Sequence, residues 1–335
     1  MTLLQPAYRV TLGDHVMDTT DEPRASTITE LLVELDMDTP ADCARLLLGR
    51  VDGPNLAVTD PITVELGYAG SGKLSRVFTG TITRLEPGLR YTHVTALGPA
   101  ATLLRTRVDQ TYESRMAGDM VSDLARLAGV EVALTEPGIH FPACTIDGRR
   151  SIYDHLRDLA DLCGFDLYFN TTGALIFRRF TGGDRTHRFR YGAEIVELEL
   201  SHTPATATRV EAWGESPGSG ASESWAWLTK DFGGAKGTAG SGAPVLSLER
   251  PVLRSAEAAQ AAAEARHAAI TGRTLRGRML AVGRPEIGLG DAIQLTGLPD
   301  ERYDGRYAVR SITHRIDKRT GFTTVVGFRR MVREG

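Results

Sequence analysis

Residues 283–328 read GRPEIGLGDAIQLTGLPDERYDGRYAVRSITHRIDKRTGFTTVVGF, and this stretch decides the fold. Ile293 and Leu295 alternate with polar neighbours, as do Tyr307 and Val309, and then Phe322, Thr324 and Val326. A period of two is what a half-buried strand needs, because successive side chains point to opposite faces. The breaks between runs carry turn chemistry. Gly288-Leu-Gly290-Asp291 opens the first strand, Asp304-Gly305 offers the positive φ angles of a tight hairpin, and Lys318-Arg-Thr-Gly321 closes the next. The stretch is a β-meander of three to four strands.

The same grammar occurs earlier. Asp60-Pro-Ile62-Thr-Val64-Glu-Leu66 parallels Asp291-Ala-Ile293-Gln-Leu295, Phe78-Thr-Gly80-Thr-Ile82 parallels Tyr303-Asp-Gly305-Arg-Tyr307, and Tyr91-Thr-His-Val94 parallels Phe322-Thr-Thr-Val325. Order is kept while the spacers differ, as in a duplicated β-module. Any two antiparallel meanders look alike at this level, so pattern alone leaves the duplication open.

RPEIGLGDAIQLTGLPDERYDGRYAVRSITHRID followed by GFTTVVGF resembles the C-terminal part of the phage late control gene D family. These are hub proteins of contractile phage tails, related to the hub portion of the VgrG spike of type VI secretion and of extracellular contractile injection systems. The marks are Pro-x-Ile-x-x-Gly-Asp, a strand, a small Gly-containing break, a Tyr-Asp-Gly-x-Tyr hairpin, a Val-x-x-Ile/Val-x-His strand, and a closing Gly-Phe/Tyr-Thr-Thr strand. The middle of the chain fits too, with its Asp-Leu-Ala helices and the Gly164-Phe-Asp-Leu-Tyr-Phe169 strand.

Bulk composition agrees with a soluble β-rich protein. The 335 residues suffice for two or three cores, and 41% hydrophobic with 24% charged residues is ordinary for a globular chain. A net charge of −3 disfavours a dedicated nucleic-acid binder, which normally shows a basic excess. Cys43, Cys144 and Cys163 are odd in number and far apart, so neither a disulfide framework nor a zinc knuckle is expected. The N-terminus lacks the pattern of a signal peptide, and no apolar run reaches the length of a membrane span. Assembly in the cytoplasm is the expectation.

Between the meanders the chain reads as α/β. Asp123-Leu-Ala-Arg-Leu127-Ala-Gly129 matches Asp158-Leu-Ala-Asp-Leu162-Cys-Gly164, each a helix ended by glycine and followed by a strand. Met120, Leu124, Leu127 and Ala128 share one face of the first helix, and Ile152, Leu156, Leu159 and Cys163 one face of the second. Ser151 and Asp154 are placed for an N-cap and capping box. Farther on, Val196, Leu198 and Leu200 oppose Glu197 and Glu199 on a strand. Glycine-rich runs within 214–243 flank Trp225 and Trp227, giving a flexible protruding loop whose tryptophans are candidates for a partner contact. Ser255 then caps an alanine-rich helix over 255–271.

No catalytic constellation emerges. Gly67-Tyr-Ala-Gly-Ser-Gly72-Lys73-Leu74 nearly matches a P-loop, but Leu74 stands where the Mg²⁺-binding hydroxyl belongs and a strand follows, so a hairpin tip is expected. His140, Cys144 and Cys163 lack a fourth ligand at metal spacing. Glu194, Glu197 and Glu199 read as a solvated strand face, and Arg178, Arg179, Arg185, Arg188 and Arg190 as an exposed hairpin or a contact for an acidic partner.

The expected fold class is α+β, mainly β: two tube-type antiparallel β-barrel domains (1–100 and 191–335) flanking a middle α/β domain (101–190). The site residues are structural, namely Gly129, Gly164, Ser151, Gly290, Asp291, Asp304 and Gly305, with no catalytic residue, cofactor or metal. The resemblance implies a baseplate hub of a phage tail or injection particle. It would be a homotrimer adapting a hexameric tail tube protein to a separate spike protein, alongside other baseplate proteins. A tail-associated cell-wall hydrolase and a free-standing peptide- or carbohydrate-binding protein are the alternatives.

Overall fold

The computed structural model describes residues 4–21, 27–49, 55–70, 73–214 and 236–331. Trp225, Trp227 and most of the glycine-rich run lie outside the described residues. The chain is mainly β, and its dominant element is one sheet of 13 strands.

The first half of that sheet contains β1 (Pro6–Leu12), β2 (His15–Asp18), β3 (Ile28–Asp36), β4 (Cys43–Gly49), β5 (Pro61–Tyr68), β6 (Leu74–Pro87) and β7 (Tyr91–Leu97). A middle section follows with α1 (Ala100–Arg105), β8 (Gln110–Met116), α2 (Ala117–Leu127), β9 (Val132–Thr135), β10 (His140–Ile146), α3 (Ile152–Cys163), β11 (Asp166–Phe169) and β12 (Leu175–Arg178). The chain re-enters the large sheet with β13 (Thr186–Arg190) and β14 (Ile195–His202). It leaves again for β15 (Arg209–Trp213), β16 (Gly237–Gly240), β17 (Val245–Glu249) and α4 (Ala256–Gly272). The sheet is completed by β18 (Leu275–Val282), β19 (Ala292–Thr296), β20 (Gly305–Asp317) and β21 (Gly321–Arg330).

The two halves have one strand order. The first runs β3-β4-β7-β6-β5-β1 and the second β14-β18-β21-β20-β19-β13. Corresponding neighbours are antiparallel throughout, except that β13 meets β19 in parallel where β1 meets β5 antiparallel. Irregularities recur at matching places. Thr29 is bulged out of β3 and Val196 out of β14, and Thr83 out of β6 as Arg310 is out of β20. The turn before β5 is rebuilt before β19. Ala57 N donates to the Asp60 carboxylate at 2.8 Å, and Gly288 N to that of Asp291 at 2.9 Å. Ile82 N then donates to the Asp60 carbonyl, as Val309 N does to that of Asp291. Bulges and turns at equivalent sites are not expected of unrelated meanders, so the repeat is a repeat of backbone.

Alternation buries Val10, Leu31, Val33, Leu46, Val64, Ile82, Ile293, Leu295, Ile312 and Val326 in a single core spanning both halves. The join is β20 against β3, paired from Ser311 opposite Asp36 to Asp317 opposite Glu30. A second core unites α2 and α3 with β11-β12-β9 and with the inserted β15–β17 and α4. Its alanine-rich helix packs as its composition predicts: a Cβ at Gly237 of β16 would stand 2.2 Å from the Ala259 carbonyl carbon.

Three sequence expectations are corrected. Asp304-Gly305 is not a two-residue hairpin turn: the loop is longer, holds a 3-10 turn over Glu301–Tyr303, and Gly305 at φ 158° begins β20. Leu127 is 47% exposed, and the buried face of α2 runs through Met120, Val121, Leu124 and Ala125. Val196 is 59% exposed because its bulge shifts the alternation, leaving Ile195, Leu198 and Leu200 facing the core.

Candidate functional site at the seam of the sheet

The join between the two halves is where the chain concentrates buried charge. Val309, Arg310 and Ser311 form the bulge of β20, and the extra residue turns the Arg310 side chain inward, leaving it 9% exposed. From there its guanidinium donates to Asp166 at the start of β11 and, at 3.0 Å, to Asp38 just beyond β3. Arg157 of α3 donates to the Met37 carbonyl at 2.6 Å and to Asp38 at 3.3 Å. Arg329 of β21 lies 3.5 Å from Asp166. One arginine thus ties together the first half, the second half and the middle section.

The electrostatics are mutual. Burial alone would raise the Asp38 carboxyl, but Arg310, Arg157 and Arg329 outweigh it and hold it below the usual carboxylate range. Burial would lower Arg310, yet Asp166 and Asp38 hold it above its ordinary value. Arg329 goes the other way, lowered by burial and by Arg310 beside it. Beside this cluster opens a cleft of about 640 Å³ whose lining includes Asp38, Glu199, Arg273, Arg276, Arg278 and Arg329. Arg273, Arg276 and Arg278 form no ion pair among the described residues.

Two further buried groups border the seam. His314 of β20 is fully enclosed, its Nδ1 3.0 Å from the Thr324 hydroxyl and its Nε2 without a partner among the described residues. Burial pushes its pKa down to about 3. Asp42, in the β3–β4 turn, accepts from Asp36 N at 3.0 Å, and burial raises its pKa to about 7.

The residues singled out from sequence act as struts. Ser151 caps α3: Asp154 N donates to its Oγ and Ser151 N to the Asp154 carboxylate, both at 3.2 Å. Gly164 ends that helix at φ 67°, where a Cβ would also lie 2.9 Å from Ala265 of α4. Gly129 follows α2 at φ 71° with open space around it, so conformation alone selects it. Gly290 passes so close to the middle section that a Cβ there would meet the Tyr168 hydroxyl at 2.3 Å. Asp291 also accepts from Arg185 N and contacts His187 Nε2 at 2.8 Å, fastening β13 to β19. Asp304 closes its loop by accepting from the amides of Gly297 and Leu298. Of the arginine stretch, Arg178 is engaged by Asp184 and by Tyr168 Oη at 3.0 Å.

Among the described residues no group of three or more His, Cys, Asp and Glu could hold a metal ion. Cys163 is a core residue, its thiol pushed up to about 11 by burial. Gly67 and Leu74 belong to the strands of the β5–β6 hairpin. Sequence reading missed Asp38, Asp166, Arg310 and Arg329, which are brought together only by the tertiary fold. No local signal marks them: in sequence Arg310 falls on the polar side of the alternation set by Tyr307 and Val309, and only the bulge turns it inward.

No protein-family model matches the chain, and no curated protein matches it. Solved structures do. A 43 kDa tail protein of prophage MuSo2 from Shewanella oneidensis superposes with a TM-score of 0.72 at 14% identity, covering 96% of this chain and 98% of that one. A tail protein from Neisseria meningitidis gives 0.71 at 13% identity, with coverage of 97% and 96%. An E. coli component of the type VI secretion system, itself structurally similar to the T4 tail proteins gp27 and gp5, gives 0.61 at 9% identity, with coverage of 96% and 77%. At such identities the likeness is one of fold. The chain has the fold of phage tail and type VI secretion components. Among the described residues no helix is long and apolar enough to cross a membrane.

Proposed function

We propose that the chain is the structural baseplate hub of a contractile phage tail or a related injection particle. Three copies form a ring, and each contributes two tube-like β-domains, about 1–100 and 191–335, with the α/β section 101–190 between them. β13, within 101–190, pairs with β19, and α4, within 191–335, packs in the core of the middle section. Six similar wall segments would face a hexameric tail tube, while the threefold assembly would seat a separate trimeric spike. The observation that carries this reading is the repeat itself: two half-sheets of equal strand order, fused edge to edge within one chain. The fold shared with tail proteins supports it. The buried charges fit a structural role, since Arg310, Asp38 and Asp166 brace three parts of the chain against one another. The particle is assembled in the cytoplasm and carries the hub at the base of its tail.

Mass photometry of the purified chain is the direct test. A species of three times 36.3 kDa is expected, and co-expression with a cognate spike protein should yield a trimer-on-trimer complex. A chain that stays monomeric and binds neither tube nor spike would defeat the proposal. Clearing of peptidoglycan in a zymogram would point instead to a tail-borne hydrolase.

A further inference from the structure

β20 uses one edge twice. Gly305–Ala308 pair with β19, and beyond the bulge Ser311–Asp317 pair with β3. Its counterpart β6 pairs with β5 only over Leu74–Thr81, so that the same edge of Arg84–Pro87 has no strand beside it among the described residues. The acceptor side is also incomplete. β3 takes β20 on its outer edge, whereas the outer edge of its counterpart β14 takes nothing among the described residues. Each chain therefore contains one finished seam and the two unmatched sides of another.

We infer that a second copy of this chain completes that seam, with Arg84–Pro87 of one copy pairing antiparallel to β14 of the next. This rests on the ring proposed above and names its contact. The bulges fix the register. Ile82 corresponds to Val309 and Ile28 to Ile195, each followed by its bulged residue. Carrying the pairs Ser311–Asp36 and Thr313–Glu34 across those equivalences sets Arg84 opposite Thr203 and Glu86 opposite Ser201. Ser201 is the cross-strand partner of Arg276, so Glu86 of the second copy arrives at the rim of the arginine-lined cleft. Glu86 lies 3.8 Å from Arg84 of its own strand, a mostly exposed pair that it would exchange for Arg276 in the register derived from backbone alone. Glu199 lies in the same cleft but makes no ion pair among the described residues, leaving Arg276 and Arg278 available. An unpaired strand edge is a template for another strand.

The test is a cysteine pair. Residues directly opposite in an antiparallel ladder have Cβ atoms about 4.5–5.5 Å apart, close to disulfide geometry. Glu86→Cys with Ser201→Cys should give covalent trimers on a non-reducing gel under mild oxidation. Glu86→Cys with Glu197→Cys, displaced by four residues or about 13 Å, should not, and neither single variant should. If the wild-type chain forms rings but both pairs cross-link equally, or neither does, this seam is wrong and the ring stands. A wild-type chain that remains monomeric at tens of micromolar sinks the ring, and the seam with it.

Discussion

In the first half of the sheet the ring of Phe78 lies over Gly80; at the equivalent positions the second half has Gly305 and Tyr307, so glycine and aromatic have changed places. Ala44 faces Ala96 in one half, where Gly277 lies under the ring of Phe328 in the other. Volume is roughly preserved in the first exchange but not in the second, where a glycine and an aromatic ring replace two alanines. The bulges and the turn before the fifth strand are kept. A duplicated β-wall therefore keeps its backbone irregularities while its core side chains are repacked. Arg310 is the sharpest contrast: Thr83 occupies the equivalent bulge and reaches only the Thr95 carbonyl, at 3.3 Å. The bulge at the join of the two halves carries an ion cluster, whereas Thr83 carries no charge.

Breaking that contrast should give the largest effect. Arg310→Ala leaves buried Asp166 with only the longer contact to Arg329 and is expected to lower unfolding free energy by about 3 kcal/mol, read by denaturant titration. Next is Gly277→Ala, where the new Cβ would lie 2.5 Å from the Phe328 ring and 2.8 Å from the Glu199 carbonyl. A loss of about 1–3 kcal/mol is expected; a neutral result would mean that the Phe328 ring can withdraw and that Gly277 is not required sterically.

Two buried titrating groups give opposite pH dependences. His314, at about 3 when folded, leaves the unfolded chain with the extra proton between pH 3 and its ordinary 6.5. Its stabilisation is complete above 6.5 and declines on acidification, and His314→Phe should flatten that limb. Asp42, at about 7 against an ordinary 3.8, makes the folded state hold the extra proton, so stability falls as pH rises through that window. Asp42→Asn should remove this fall and help most near pH 8. Unfolding measured at pH 5 and pH 8 separates the two.

The smallest effects compare the matched turns. Thr59 has φ 88° where its counterpart Gly290 has 86°. Thr59→Gly should stabilise by about 1 kcal/mol through relief of backbone strain, whereas Thr83→Ala should cost only about 0.5–1 kcal/mol for its hydrogen bond.

The strands, the Ser151 capping box and the left-handed Gly164 were legible because each depends on neighbours in sequence. The echo between the meanders was visible, but aligning Gly80 with Gly305 and Tyr91 with Phe322 misplaces it by one or two residues. The glycine–aromatic exchange hid the true register, which the bulges reveal. The charged junction could not be read at all. Asp38, Asp166 and Arg310 come from three separated stretches, and each alone looks like an ordinary surface residue.

The hairpin joining β6 to β7 carries Leu89 at its tip, 94% exposed, whereas its counterpart between β20 and β21 presents Lys318 and Arg319. Around a closed circle of such chains an oily tooth would alternate with a basic one on an otherwise uniform wall. A neighbour that touches only the wall would count six equal places; one that grips the teeth would count three.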